Sequence, residues 1–154
     1  MKTKRGQVAL EFLTTYGWAI MVVMVMIGAL AYFGVFNIKD QLPERCSFGT
    51  QLNCRDWIIS TSNVTILISN NFEESIDISE FNATLSDGGC LCSASSLPVT
   101  IDSGGDAILA ADSCSGCSLT EGSKIKFEAS IVYRKSTGSF DHIQKGEIFA
   151  TVLT

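Results

Sequence analysis

The chain has one histidine, His142, and 11 lysines and arginines, three of which (Lys2, Lys4 and Arg5) lie within the first five residues. Beyond Arg5 the cations are scattered, eight of them against 16 aspartates and glutamates. A body that acidic excludes nucleic acid as a partner, because phosphate binding rests on clustered Lys and Arg. It equally excludes a polybasic patch that would hold the main domain on an anionic membrane. The catalytic inventory is poor. His142 sits in the polar run SFDHIQKG with no serine or cysteine motif that a triad would use, and Asp141 beside it would point to the opposite face of a strand. A solvated loop histidine, no enzyme activity and no cofactor are expected. Glu73, Glu74, Asp77 and Glu80 lack calcium-loop spacing and read as a solvated acidic face. No repeat, low-complexity tract or linker divides the 154 residues, which amount to one domain once a targeting segment is subtracted.

Charge is also missing from Phe12 to Ile38. The core of this stretch, Tyr16 to Phe36, raises the mean hydropathy to +0.27. As a helix its 21 residues span about 31 Å, the thickness of a bilayer's hydrocarbon. An ordinary secretory signal has an apolar region of only about 7–15 residues, so the segment is expected to stay on the protein. The basic MKTKRG end would remain in the cytoplasm and the rest of the chain would lie outside. Trp18 and Tyr32 suit the two interfaces, and Pro43 is the expected stop of the helix. Gly17, Gly28 and Gly34 read as positions where neighbouring helices approach closely.

Glu11 breaks the pattern, because a carboxylate at the start of an apolar helix needs water, a helix dipole or a cation. Its setting is specific. Lys4-Arg5-Gly6 is followed by Gln7, and Glu11 is the fifth residue counted from Gln7, ahead of an uninterrupted apolar helix. The run KRGQVALEFLTTYGWAI resembles the class III signal sequence of type IV pilin-like proteins, archaeal pilins in particular, over residues 2–36. The resemblance implies a membrane peptidase that cuts between Gly6 and Gln7 and leaves the helix on the mature chain. It also implies a filament of identical subunits, with Glu11 facing the new N-terminal amine of Gln7 on a neighbour. The physics agrees with such a life cycle. A helix that is apolar all round needs lipid or other helices on every side, and a buried unpaired carboxylate costs several kcal/mol.

From Trp57 onward the hydrophobic period is two. Val64, Ile66 and Ile68 share one face, then Ile76 and Ile78, then Phe81, Ala83 and Leu85. Further along come Ile125, Phe127, Ala129, Ile131 and Tyr133, and finally Ile148, Ala150 and Val152. Turns are signalled at Asp87-Gly88-Gly89, Ser103-Gly104-Gly105, Glu121-Gly122 and Thr137-Gly138-Ser139. Seven or eight short strands predict an antiparallel β-sandwich. The six cysteines, Cys46, Cys54, Cys90, Cys92, Cys114 and Cys117, all follow the apolar segment and read as three disulfides of an exported domain. Cys46–Cys54 suits a local loop. Cys90 and Cys92 are too close in sequence for a mutual bond, so each is expected to pair with one of Cys114 and Cys117. A four-thiolate zinc site on these last four is the alternative. Asn63-Val64-Thr65 and Asn82-Ala83-Thr84 are acceptor triplets for glycan.

The expected fold class is therefore α+β, a long N-terminal apolar helix followed by an antiparallel β-sandwich head of the pilin-like kind. Residues 1–6 would be the signal peptide, 7–40 the membrane and filament-core helix, and 41–154 the extracellular disulfide-bearing domain. The expected partners are identical subunits, a prepilin peptidase with the assembly machinery, and the membrane before assembly. Three rivals stand beside this reading: a minor or priming subunit, a single-span anchored binding module that never polymerises, and an exported metal or redox protein.

Overall fold

The structure, a computed structural model, describes the backbone of residues 4–35 and 42–154 and the side chains of 10–35 and 42–154. Contacts divide the chain into two units, Met1–Leu42 and Pro43–Thr154.

The first unit is the helix α1, Lys4–Tyr32. An α-helix satisfies its backbone polar groups internally, which lets so apolar a segment exist without water. Its end is set by Gly34, which has a left-handed φ of 69°. The Gly34 amide donates to Ala31 O at 3.1 Å and the Val35 amide to Leu30 O at 3.2 Å, the two bonds of a Schellman turn. Gly34 is thus a helix cap, where helix packing was expected of it, and the stop falls ahead of Pro43. The end expected at residue 40 lies outside the described residues.

The second unit overturns the expected sandwich. Nine strands form it: β1 (Arg45–Ser47), β2 (Leu52–Ser60), β3 (Val64–Asn70), β4 (Ile76–Leu85), β5 (Leu91–Ala94), β6 (Val99–Ile101), β7 (Asp106–Ser115), β8 (Lys124–Lys135) and β9 (Asp141–Leu153). Seven of them close a ring in the order β9-β2-β3-β7-β5-β4-β8 and back to β9. The head is a closed barrel rather than two sheets facing each other. Alternation specifies only that one face of each strand is buried, a demand that a sandwich and a barrel meet equally. Strand pairing makes the difference. All the ring pairs are antiparallel except one, in which β9 lies parallel to β2 through Ile59↔Val152 and Ser60↔Leu153.

The same edge of β9 also holds β1, through Arg45↔Phe149, Cys46↔Ile148 and Ser47↔Glu147. The Cys46–Cys54 disulfide ties β1 to β2, so the seam is closed by two parallel residue pairs, a three-residue strand and a covalent bond. On the far side, β5 and β6 share one edge of β4 in the same way.

The interior is filled by the residues that alternation selects. Val64, Ile66, Ile68, Ile76, Ile78 and Ile131 are fully buried. Two phase shifts were invisible in the sequence. Ile76/Ile78 and Phe81/Ala83 belong to the single strand β4, whose pairing with β8 slips between Ile78 and Glu80. A similar bulge between Cys54 and Asp56 resets β2. Each extra residue switches which parity faces inward, and so keeps both halves of the strand in the core.

Phe48, 1% exposed, closes the core beside β1. It can do so because residue 146 is glycine: a Cβ there would lie 2.5 Å from Phe48 Cδ1 and 2.5 Å from Ser47 O. Gly146→Ala is therefore expected to cost about 1–3 kcal/mol, the usual penalty of overpacking. The check is a denaturant melt of Gly146→Ala beside Gly138→Ala, whose added Cβ meets nothing closer than 3.5 Å.

Candidate functional site

Two regions carry the features on which function was expected to rest, the apolar helix and the cysteine-bearing wall of the barrel. Along α1 the stretch Leu10–Tyr32 includes 18 consecutive residues with a mean hydropathy of 1.9, none of them buried, and its length and composition would let it cross a membrane. Apolar side chains cover its whole circumference, from Leu10 and Leu13 to Met24, Val25 and Met26. The hydroxyls of its two threonines are turned inward on the backbone. Thr14 Oγ1 donates to Leu10 O at 2.9 Å and to Glu11 O at 3.1 Å, and Thr15 Oγ1 donates to Glu11 O at 2.7 Å. Both threonines thereby present methyl groups with no unmatched donor, the form in which Thr enters apolar surroundings at low cost. Phe12 and Tyr16, one turn apart, bring their rings to 4.5 Å.

Glu11 is exposed on this helix, one residue after the apolar window begins. Gly6 and Gln7 lie in its helical backbone, and the side chain of Gln7 is outside the described residues. At Gly17 and Gly28 an added Cβ would meet nothing within 4 Å. Their smallness serves no contact within the described residues, which leaves both positions open to a neighbouring surface.

On the barrel, the six cysteines form Cys46–Cys54, Cys90–Cys117 and Cys92–Cys114. Cys92 and Cys114 are register partners on β5 and β7. Cys90 lies just before β5, and Cys117 lies just after Gly116, whose φ is 70°. A Cβ on Gly116 would fall 2.7 Å from Gly89 O, so the return of the chain toward Cys90 requires glycine. Cys92 Sγ lies 4.0 Å from Cys90 Sγ and 3.9 Å from Cys117 Sγ. The two disulfides are side by side, with Cys90 and Cys92 buried.

The remaining candidates are spread around the barrel. Asn63 lies in the β2–β3 turn, where its carbonyl accepts from the Ser60 amide at 2.9 Å and its side-chain oxygen accepts from the Ser60 hydroxyl. Asn82 is on the outer wall, between Ser93 of β5 and Ser130 of β8. The acidic residues do not converge. Glu74 accepts from Thr137 and pairs with Lys135 at 3.4 Å, while Asp77 accepts from Thr100 at 2.6 Å. His142 is in strand β9, not a loop. Its ring stacks at 5.5 Å on Tyr133, its register partner, and Tyr133 in turn packs against Phe72 at 5.4 Å. Asp141 pairs with Arg134 at 2.8 Å, away from the imidazole. The polar sequence around His142 concealed the strand, because at that end of β9 both faces are exposed.

Sequence reasoning missed Glu147. Projecting outward from β9, it pairs with Arg45 of β1 and with Lys126 of β8 at 2.7 Å. It bridges the two strands that flank β9. Lys126 first, then Arg45, holds its carboxyl below the usual glutamate range. Glu44 is also lowered, by accepting from the Thr151 hydroxyl and amide across the same seam. No local pattern signals such pairs, since the partners are far apart in sequence. An apolar strip marks another part of the outer wall, where Ile58, Leu67 and Ile108 line a shallow hollow and Ile108 is 68% exposed.

No family model and no curated protein matches the chain. Among solved structures, that of the Northeast Structural Genomics Consortium target SoR45 aligns over 73% of this chain and 86% of its own, with 12% identity and a TM-score of 0.39. A likeness that distant carries no argument about function.

The lowered carboxyls fix the sign of an acid response. A folded pKa below the unfolded one adds stability above the unfolded value, and that stability is lost as pH falls through the folded value. The melting temperature of the head is expected to fall as the pH drops through and below the ordinary glutamate range. Glu147→Gln is expected to lower it at neutral pH and to flatten the acid limb. A thermal melt series across pH on both proteins measures this, and an unchanged acid limb in Glu147→Gln would remove Glu147 from the account.

Proposed function

We propose that the chain is a structural subunit of a type IV pilus-like surface filament, with no catalytic role. It is made as a membrane-held precursor, cut between Gly6 and Gln7 by a prepilin peptidase, and assembled through its apolar helix. Its acidic barrel then forms the outer surface and serves attachment. The observation that carries this reading is the conjunction of Lys4-Arg5-Gly6-Gln7 and Glu11 with a helix that is uncharged and apolar on all sides from Phe12 to Tyr32. A helix of that kind is stable in lipid and equally stable among copies of itself, so transfer from one to the other costs little.

Several details support it. The inward-bonded Thr14 and Thr15 suit an apolar interface, and Gly17 and Gly28 leave room for close approach. The disulfides suit an oxidising exterior. In this reading Glu11 pairs with the N-terminal amine of Gln7 on an adjacent subunit, because a carboxylate drawn into a helix bundle needs a cation. Outward-facing Asn82, and Asn63 in its turn, would carry glycan.

The N-terminal peptide of protein recovered from its native cell surface tests the reading. A peptide beginning at Gln7, with or without loss of ammonia, is expected. A start at Met1 or Lys2 would instead bring forward an anchored binding module that does not polymerise. Glu11→Ala is expected to leave cleavage intact and abolish filaments seen by electron microscopy; normal filaments from Glu11→Ala would end the pairing of Glu11 with Gln7.

A further inference from the structure

We infer that Cys90, Cys92, Cys114 and Cys117 form a site with two states, a pair of disulfides when oxidised and a tetrahedral four-thiolate Zn²⁺ site when reduced. The inference does not depend on the filament reading. It rests on where the sulfurs lie. Sulfurs bound to zinc at ~2.3 Å in a tetrahedron are about 3.8 Å apart along every edge. Cys92 Sγ is already 4.0 Å from Cys90 Sγ and 3.9 Å from Cys117 Sγ, although neither is its bonded partner. The sulfurs of Cys90, Cys92 and Cys117 all lie within 4.8 Å of one another, and Cys114 Sγ is bonded to Cys92 Sγ. Two of the six edges of the tetrahedron thus stand near that length in the oxidised head. Two more, Cys90 to Cys117 and Cys92 to Cys114, lengthen once their bonds are broken. The last two run from Cys114, which lies outside the close group of three, so the reduced site requires its side chain to turn toward Cys90 and Cys117.

The backbone would keep the four residues together without those bonds. Leu91↔Ser115 and Cys92↔Cys114 are paired in the β5–β7 ladder. Cys90 O accepts from the Leu85 amide at 2.8 Å, which holds the segment before β5 against β4. Gly116, in its left-handed conformation, turns the chain so that Cys117 returns beside Cys90. One Cys-x-Cys and one Cys-x-x-Cys, on two adjoining segments, supply two ligands each, a donor set that favours zinc over oxygen-seeking cations. Two of the four sit in a water-poor setting, Cys90 at 2% and Cys92 at 0% exposure, which strengthens metal–thiolate bonds.

The chemistry balances with a thiol-class reductant. Each protein disulfide takes two electrons and two protons from a dithiol, which leaves as its own disulfide. The four thiols then release four protons as Zn²⁺ binds, giving a site of net charge two minus. The third bridge, Cys46–Cys54, lies at the β1–β2 seam and takes no part.

The test uses the full chain in detergent, reduced with a phosphine, freed of the reductant without oxygen and titrated with Co²⁺ and then Zn²⁺. One Co²⁺ per chain is expected, with the visible bands and near-ultraviolet charge transfer of tetrahedral sulfur ligation, displaced by one equivalent of Zn²⁺. Cys92→Ser is expected to weaken uptake by more than ~10-fold, and the double variant Cys46→Ser/Cys54→Ser to keep it. Absence of Co²⁺ binding while circular dichroism shows a folded head would overturn the inference. So would unchanged binding in Cys92→Ser, or a reduced chain that unfolds and is not refolded by Zn²⁺.

Discussion

Everything in the head depends on how the edge of β9 that faces away from β8 is occupied. A twisted sheet always ends in two strands with unpaired amides and carbonyls, and those edges invite other chains. Here the first and last strands of the head meet on one another: β1 pairs with residues 147–149 of β9, and β2 lies parallel to residues 152–153. So short a parallel contact is a weak lock by hydrogen bonds alone. It is reinforced three times, by the Cys46–Cys54 bridge, by Glu147 reaching Arg45 and Lys126, and by Glu44 accepting from Thr151. In the chain-entropy account the bridge itself contributes only about 2.5 kcal/mol, because its loop is short; its larger effect is to fix which strands lie side by side. With the seam closed, the inward faces converge on one core, and seven strands leave a bore just wide enough for side chains to fill.

The helix answers to a different solvent. In water its exposed apolar surface would be costly at roughly 25 cal/mol per Å², and the hydroxyls of Thr14 and Thr15 already bond to its own carbonyls. The molecule joins two segments with opposite demands, one shielded by its own closure and one requiring an apolar environment from elsewhere. A filament core and a bilayer both meet that second demand, and this is why the proposed function turns on assembly and not on a pocket.

Much of the head could be read from the sequence, residue by residue. Val64, Ile66 and Ile68, then Phe127, Ala129 and Ile131, alternate without interruption, and all six are buried as alternation requires. The strands that escaped notice break phase or hide it. β2 carries its bulge at Arg55, and β7 places Ile108 outward between inward Ala107 and Leu109, so no clean period survives. Closure was not legible at all, because a period of two says which face is wet and nothing about which strand lies next door. The cysteines narrowed the bridges to two arrangements. The choice between Cys114 and Cys117 came from the β5–β7 register, a long-range fact. Glu147 was silent for the same reason, its partners being more than 20 residues before it in the chain.

The position of Cys46 also has a mechanical meaning. The chain enters the barrel at Arg45, the first residue of β1, and the disulfide to Cys54 comes one residue later. Tension arriving along the segment that follows the helix can peel a single paired residue before it meets a covalent cross-link. From there the load passes into β2, which is paired with β3 from Leu52 to Ile59. The head is anchored against being unzipped from the end by which it would be pulled.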